Sequence, residues 1–518
     1  MAKKVAEKEP LEKQLFKAAD KMRKNIDAAE YKHVALGLIF IKYLSETFEA
    51  KYQELEADGD DAEDRDEYLA ESIFFVPEQA RWQFIQANAT KTSIEYTDRN
   101  DNDRQGNIGN VLDNAMGLIE AENGDLKGVL PKVFGKDNLD KDTLSSMIDL
   151  FSNIGLGETL EKKKDLLGHV YEYFLGEFAS AEGKKGGQFY TPKSIVQMMV
   201  EMIEPYEGRI LDGACGSGGM FIMSEKFVQK HNGDVDDIVV YGQESNQTTY
   251  NLCRMNLAMH GMEGGNVAWN AEGSFLRDAH KDLKADFVLM NPPFNQKEWG
   301  VDQLQNDARW SLGTPPNGNA NFGWMQYIIH HLNPTGGRAA VVLANGSLSS
   351  NSSGEGEIRQ KMVDTDLVEC VLMLPKQLFF NTGIPACVWF LHRDKPRKGE
   401  TLFIDASELG YMEDRTHRAF AQEDIDKVTE TYHAWQKKEE SYEDVKGFCK
   451  TTKIEDIQKH KYVLTPGRYV GIPDEEDDGI PFDEKMKTYT DELRGQMDEA
   501  EQLDQKIKES LSKIGFSI

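Results

Sequence analysis

Asp286-Phe287-Val288-Leu289-Met290-Asn291-Pro292-Pro293-Phe294 is an apolar run that stops at two prolines. Neither proline has an N–H to donate, so a sheet ladder cannot continue through them. They fix a stiff, extended turn at the C-terminal edge of a strand, where α/β sheets place their ligands. Asn291 brings a side-chain carbonyl to that edge, and Pro292 a backbone carbonyl held rigid by Pro293. Two fixed acceptors can bind both hydrogens of one amino group. That localises the nitrogen lone pair and aims it at an electrophile. Phe294 offers a face on which an extruded heterocycle can stack.

Upstream, Leu211-Asp212-Gly213-Ala214-Cys215-Gly216-Ser217-Gly218-Gly219 ends another apolar run in a glycine-rich turn, and a helical pattern starts near Met220. Glycine lets the backbone approach a ligand closely and adopt positive φ. The GxGxxG dinucleotide fingerprint is not met, because Phe221 stands three residues after Gly218, and there is no phosphate-loop lysine. Asp212 before the loop, with small residues through it, suits a ligand with a cationic or amino-acid end rather than a pyrophosphate. Glu244 closes the next run, where a carboxylate in a Rossmann-like sheet accepts hydrogen bonds from ribose hydroxyls. Gly186-Gly187-Gln188-Phe189-Tyr190-Thr191-Pro192-Lys193 precedes a helix at Ser194–Ile203 and could close over such a ligand. Each of these is, alone, also an ordinary turn, strand end or helix start.

Seven short apolar runs follow Tyr206: Arg209–Leu211, Ile238–Tyr241, Asn266–Trp269, Ala285–Met290, Arg338–Leu343, Leu367–Leu374 and Ala386–Leu391. The early runs alternate with helical stretches, which implies a parallel sheet with crossover helices. The last two are joined by a short connection, which permits an antiparallel pair. The expected fold is α/β, a Rossmann-like sheet with a hairpin at its end. Before it, Leu11, Leu15, Ala19, Met22 and Ile26 share one helix face, and about Tyr31 to Phe48 reads as a buried helix. Helical pattern also runs through Ile108–Ile119 and Leu144–Ile154, and an acidic, solvated segment lies between Glu54 and Glu71. Residues 1 to about 160 therefore read as an all-α N-terminal domain, 161–472 as the domain that carries the sheet, and 473–518 as a linker with a C-terminal helix. After Pro396 the signals weaken. Thr465–Tyr469 reads as a turn and Asp474–Asp478 as an acidic linker. From Asp483 to Ile514 runs an amphipathic stripe, packed on its own domain or forming a coiled-coil-like contact with another chain.

Composition narrows the function classes. Sixty Lys and Arg stand against 89 Asp and Glu, a net charge of −29 over 518 residues. A protein that grips duplex DNA alone normally neutralises several phosphates with a basic surface. Either the substrate is not a polyanion, or a local basic patch suffices, or a partner supplies the grip. Cys215, Cys253, Cys370, Cys387 and Cys449 form no CxxC pair, which argues against a zinc site and a disulfide framework and fits a reducing cytoplasm. Met1-Ala2-Lys3-Lys4 leads into no apolar h-region, and the apolar stretch near Val34–Leu44 is too short for a span of about 20 residues, so no membrane association is expected.

The loop Asp212–Gly219 and the tetrapeptide Asn291–Phe294 resemble those of amino-methyltransferases that use S-adenosylmethionine. Phe16-Lys17-Ala18-Ala19-Asp20-Lys21-Met22-Arg23 and Glu30–Tyr43 are similar to the helical N-terminal domain of the modification subunits of type I restriction–modification systems. Gly187–Lys193 and Asn319-Ala320-Asn321-Phe322 resemble that family too, and the likeness spans roughly residues 10–470 in the family's order. The resemblance implies adenine-specific DNA methylation within a complex. A specificity subunit would read the sequence, a second copy of this chain would join, and a restriction subunit would be added for cleavage. It implies that Gln188, Phe189, Tyr190, Thr191, Pro192, Lys193, Asp212, Gly213, Gly216, Ser217, Gly218 and Glu244 contact S-adenosylmethionine. Asn291, Pro292, Pro293 and Phe294 would form the catalytic tetrapeptide that holds the adenine, and the C-terminal helix would pack on the specificity subunit. Asn295 to Trp299 receive no role.

Alternatives stay open at this point: the same chemistry on the amino group of cytosine, an RNA base or a protein glutamine, or an assembly module without catalysis. There is no Pro-Cys dipeptide for attack on a cytosine ring carbon. With a charge of −29, the isolated chain is expected to bind DNA weakly and without sequence preference.

Overall fold

The computed structural model describes residues 10–23, 26–136, 139–154, 160–183, 190–379, 385–472 and 482–513. The N-terminal apolar spacing becomes two helices, Leu11–Met22 and Ala28–Asp58, but Ile26, expected on the face of the first, falls in the bend between them. They are locked by side chains as well as by burial: the Tyr31 hydroxyl donates to the Ala19 carbonyl at 2.6 Å. The second helix runs past the expected Phe48 and carries the start of the acidic segment on its last turns. Lys42, inside its apolar face and 2% exposed, is tolerated because Glu46 one turn on pairs with it at 2.8 Å. Further helices are Ile108–Glu122, started by an Asn107–Asn110 capping box, and Lys141–Ser152, capped by the Asp140 carboxylate.

A small antiparallel hairpin, β1 (Ile94–Thr97) and β2 (Asp103–Gly106), interrupts this helical region. The sequence does not announce it. Only Ile94 is buried, and the turn is held by the Asp98 carboxylate, which accepts the N–H groups of Asn100 and Asn102. The helix Leu160–Gly183 places Leu167, Val170, Tyr171, Phe174 and Phe178 in the same buried core as Ala28–Asp58.

All seven runs predicted as strands are strands: β3 (Gly208–Asp212), β4 (Ile238–Glu244), β5 (Val267–Trp269), β6 (Phe287–Met290), β7 (Arg338–Ala344), β8 (Val368–Met373) and β9 (Ala386–His392). Two more, β10 (Glu400–Asp405) and β13 (Cys449–Lys453), extend the sheet, while β11 (Tyr411–Met412) and β12 (Arg418–Ala419) pair only with each other. The nine-stranded order is β13-β10-β8-β9-β7-β6-β3-β4-β5. Strands β7, β6, β3, β4 and β5 are mutually parallel, and β9 runs antiparallel between β7 and β8, as the short connection before it permits. Beyond Pro396 the signal is thin for physical reasons. Buried β10 has only three consecutive apolar residues, Leu402-Phe403-Ile404, and β13 is an edge strand with Lys450 and Lys453 exposed.

Alternation along the strands covers both faces. Ile210, Leu289, Ala340 and Val342 face one layer of helices, Lys193–Ile203, Gly219–Lys230 and Gln422–Gln436. Leu211, Val288, Met290, Val341 and Leu343 face the other, Asn321–His331 and Glu355–Asp364. The result is a Rossmann-like three-layer α/β fold behind an N-terminal region that, among the described residues, is helical apart from the small hairpin and connecting loops, as expected for a parallel sheet covered on both sides. The expected turn at Thr465–Tyr469 is instead one turn of helix, Gly467–Val470. Its Tyr469 ring stacks on Phe403 at 3.9 Å, so packing against β10 winds the segment.

Residues Ile472–Ile518 form a separate unit. It contains the helix Phe482–Lys513, whose Met486, Tyr489, Leu493, Met497, Leu503 and Ile507 are exposed. The linker Asp474–Asp478, Ile514 and Met1–Lys4 lie outside the described residues. No helix among the described residues is long and apolar enough to cross a membrane.

Candidate active site

The side chains singled out from the sequence sit where parallel strands end. Asp212 closes β3, Glu244 closes β4, and Asn291 follows β6. These three strands are neighbours in the order β6-β3-β4, so their C-terminal ends face one cavity of about 460 Å³. Tyr190, Gly213, Gly216, Ser217, Glu244, Asn291 and Pro293 line it. Thr191 and Lys193 line a smaller adjoining hollow with Tyr190 and Ser217, and Pro192 is the N-cap of the helix Lys193–Ile203. Asp212, Gly218, Pro292 and Phe294 stand behind the wall rather than in it. Gln188 and Phe189 lie outside the described residues.

The glycines have distinct reasons to be glycine. Gly216 and Gly218 adopt φ of 54° and 83°, and the second starts the helix Gly219–Lys230. A Cβ on Gly213 would lie 2.7 Å from the Tyr327 ring, so this position is set by close approach. The loop is stapled to the neighbouring strand: Gly216 N–H donates to Glu244 Oε2 at 3.0 Å, and Asn246 N–H donates to Glu244 Oε1 at 2.8 Å. Asp212 Oδ1 accepts Ala214 N–H at 3.0 Å. Burial pushes the Asp212 carboxyl up to about 8; the Ala214 N–H opposes this and the Glu244 charge adds to it. Burial likewise raises the Tyr190 hydroxyl to about 12.

At the other end of the cavity, Asn291 is 8% exposed. Its Nδ2 donates to Thr191 Oγ1 at 2.8 Å, and its Oδ1 is buried with no hydrogen-bond partner. Phe294 is buried, with its ring edge-to-face against Phe379 at 5.7 Å.

The sequence assigns Asn295 to Trp299 no role, yet the structure ties them to the tetrapeptide. Asn295 takes a φ of 52°, a conformation Asn tolerates better than most residues. Its N–H donates to Asn321 Oδ1, and its own Oδ1 accepts from Asn319 and Asn321. The motif Asn319–Phe322 is thus a latch holding the chain just after Phe294. The signal that could have found it is an asparagine directly after a Pro-Pro turn with a second asparagine pair at a helix start. Gln296, Trp299 and Trp324 also line the cavity, and Phe275 lies 4.5 Å from the Trp299 ring and 4.2 Å from the Trp324 ring, giving one wall an aromatic surface.

Thiol chemistry has no place here. All five cysteines are buried and free. The Cys215 thiol is pushed well up by its hydrogen bond with Cys253 and by burial, and burial raises Cys387 to about 12.

A family model described as N-6 DNA Methylase matches residues 162–478, and one described as HsdM N-terminal domain matches residues 11–151. The HindI methylase subunit, a type I restriction enzyme component of Haemophilus influenzae, is 47% identical over 85% of this chain and 100% of its own length. The MjaIX methylase subunit of Methanocaldococcus jannaschii is 37% identical over 98% of this chain and 91% of its own. Among solved structures, a type I restriction-modification system methyltransferase subunit from Streptococcus thermophilus shares the fold. It has a TM-score of 0.72 at 24% identity, covering 88% of this chain and 99% of that one.

Proposed function

This chain belongs to the N-6 DNA methylase family, among the methylase subunits of type I restriction enzymes, and on that premise we propose that it methylates the exocyclic amino group of adenine in DNA at the cavity between Glu244 and Asn291. The observation that carries the proposal is the buried, unpaired Oδ1 of Asn291 on a wall of that cavity. A buried acceptor without a donor costs about 1–3 kcal/mol, so a ligand that brings an N–H there is favoured. An adenine amino group brings such an N–H to Asn291 Oδ1, whereas the Pro292 carbonyl, expected from the sequence as the second acceptor, belongs to a residue buried behind the wall.

The cavity's fit to S-adenosylmethionine rests on its volume of about 460 Å³, inside the range of about 300–1,000 Å³ usual for such ligands, on the glycine loop beside it and on the strand-end carboxylate. Tyr190, Pro192, Lys193, Gly213, Gly216, Ser217 and Glu244 form that side, backed by the buried Asp212 and Gly218 and bordered by Thr191, with Glu244 facing ribose hydroxyls. Gln188 and Phe189 belong to the same set. The cofactor, when bound, supplies an electrophilic methyl group on a sulfonium. The chain's own part is to hold the amino nitrogen with its lone pair directed at that carbon and to keep water out. Positioning of this kind supplies much of the rate, and no covalent enzyme intermediate is needed.

The proposal extends to the assembly. A charge of −29 fits a catalytic subunit whose DNA grip and sequence choice come from a specificity subunit. A second copy of this chain and a restriction subunit for cleavage would complete the complex, without a membrane and in the cytoplasm. The exposed stripe from Met486 to Ile507 is the surface offered to the specificity subunit. In this division, residues 1–160 are the helical domain, 161–472 the methyltransferase domain, and 473–518 the linker and contact helix. The test is transfer of tritium from labelled S-adenosylmethionine into DNA by the assembled complex, followed by nucleoside analysis. Label in N6-methyl-2′-deoxyadenosine supports the reading; label in cytosine, RNA or protein instead overturns it.

A further inference from the structure

We infer that Thr191 is a positioning residue for methyl transfer: its hydroxyl holds the Asn291 amide so that Oδ1, not Nδ2, is left for the incoming amino group. The inference rests on the reading that Asn291 accepts an amino hydrogen. It goes beyond that reading by giving Thr191 a role toward the catalytic tetrapeptide rather than toward the cofactor.

A carboxamide has two ends of nearly equal shape and opposite hydrogen-bonding character. If the Asn291 side chain turned over, it would present an N–H to the amino group and repel it. Nothing in the strand–Pro–Pro geometry selects one orientation, because that geometry fixes the backbone and not the amide plane. The contact that holds the amide comes from outside the tetrapeptide, with the Thr191 hydroxyl, a group able to donate or accept, acting as the acceptor. Asn291 Nδ2 donates to Thr191 Oγ1 at 2.8 Å, while Oδ1 has no partner.

Thr191 is suited to the task by its place in the chain. It precedes Pro192, whose ring fixes φ at −54° as the N-cap of the helix Lys193–Ile203. That helix is anchored by Ile195, Met198, Met199 and Met202, all buried on the same side of the sheet as Leu289 of β6. The side chain itself is β-branched, so its χ1 is restricted. The hydroxyl is therefore held against the end of β6 by two rigid supports. Thr191 also borders the hollow shared with Tyr190 and Ser217, so it stands between the glycine-loop side and the Asn291 side of the site.

The experiment compares Thr191→Val, Thr191→Ala and Thr191→Ser with Asn291→Ala in the assembly that methylates DNA. It measures kcat, KM for DNA, affinity for S-adenosylhomocysteine by calorimetry, and melting temperature. Valine keeps the shape and removes the acceptor; serine keeps the acceptor. The expected result is a kcat about tenfold lower for Val and Ala, equivalent to about 1.4 kcal/mol on the barrier. Cofactor-product affinity and KM for DNA should stay within about twofold, and Ser should return to within about threefold of the parent. The inference is overturned if Val retains the parent kcat, if its affinity for S-adenosylhomocysteine falls in step with activity, or if Ser fails as Val does. Where valine lowers the melting temperature and alanine does not, the same criteria apply to the alanine variant. If Asn291→Ala keeps near-parent activity, it is the underlying reading of Asn291 that fails.

Discussion

At the end of β4, both carboxylate oxygens of Glu244 already accept N–H groups from the protein, from Gly216 at 3.0 Å and Asn246 at 2.8 Å. At the end of β6, the Asn291 amide has one end bonded to Thr191 and the other buried and unmatched. The two strands flank β3, so the contrast exists across one cavity. The Glu244 side is rigid before any ligand arrives, because the glycine loop and the strand end hold each other. The Asn291 side is rigid in backbone and incomplete in hydrogen bonding, and only a donor from outside completes it.

The largest effect should come from removing the unmatched acceptor. Asn291→Ala is expected to cut methyl transfer by about 100–1,000-fold, the scale of losing one preorganised hydrogen-bonding group. Affinity for S-adenosylhomocysteine should stay within about threefold. Equal loss of affinity and rate would erase the distinction between the two ends. Next, Gly213→Ala forces a Cβ to 2.7 Å from the buried Tyr327 ring, an overpacking that costs about 1–3 kcal/mol. Calorimetric melting should fall by several degrees and cofactor affinity with it; an unchanged melting temperature would mean that Tyr327 yields freely and that the glycine-loop side is soft rather than rigid.

A smaller effect is expected for Glu244→Gln, which replaces one acceptor oxygen by an NH2 opposite Gly216 or Asn246. The dissociation constant for S-adenosylmethionine should rise about tenfold, within the range of one charge-assisted hydrogen bond, with kcat at saturating cofactor little changed. A fall in kcat alone would place Glu244 on the wrong side of the comparison. The smallest effect concerns Asp212, whose carboxyl is raised to about 8 in the folded chain from an ordinary value of 3.8. A carboxyl with a raised folded pKa contributes stability below about pH 4 and loses it as pH climbs toward 8. Asp212→Asn should therefore melt like the parent at pH 4 and increasingly above it by pH 8. A constant difference across that range would show that burial does not hold Asp212 protonated.

Much of this site was legible because its signals are local. Two prolines after an apolar run, glycines in a strand–helix turn and a carboxylate ending the next run each announce a backbone event at their own positions. Parallel strands between helices then bring such ends together without further information. The features that were not legible depend on contacts between distant positions. Thr191 and Asn291 are joined by a hydrogen bond across 100 residues of chain, and Asn295 meets Asn319 and Asn321 through the fold. Neither leaves a period in the chain. The hairpin Ile94–Gly106 and the edge strand Cys449–Lys453 escaped for a related reason. Their pairing is held by backbone ladders and polar side chains, with too few apolar residues to imprint an alternation.

The borders of the large sheet have a consequence for how copies of this chain can meet. One border is β5, three residues long; the other is β13, which points Lys450 and Lys453 outward. Neither is a template on which a foreign strand can settle in register, the first for want of length and the second for its ammonium groups. In any assembly that holds copies close together, recognition is thereby pushed onto side-chain surfaces, which can be specific, and away from backbone ladders, which accept almost any sequence.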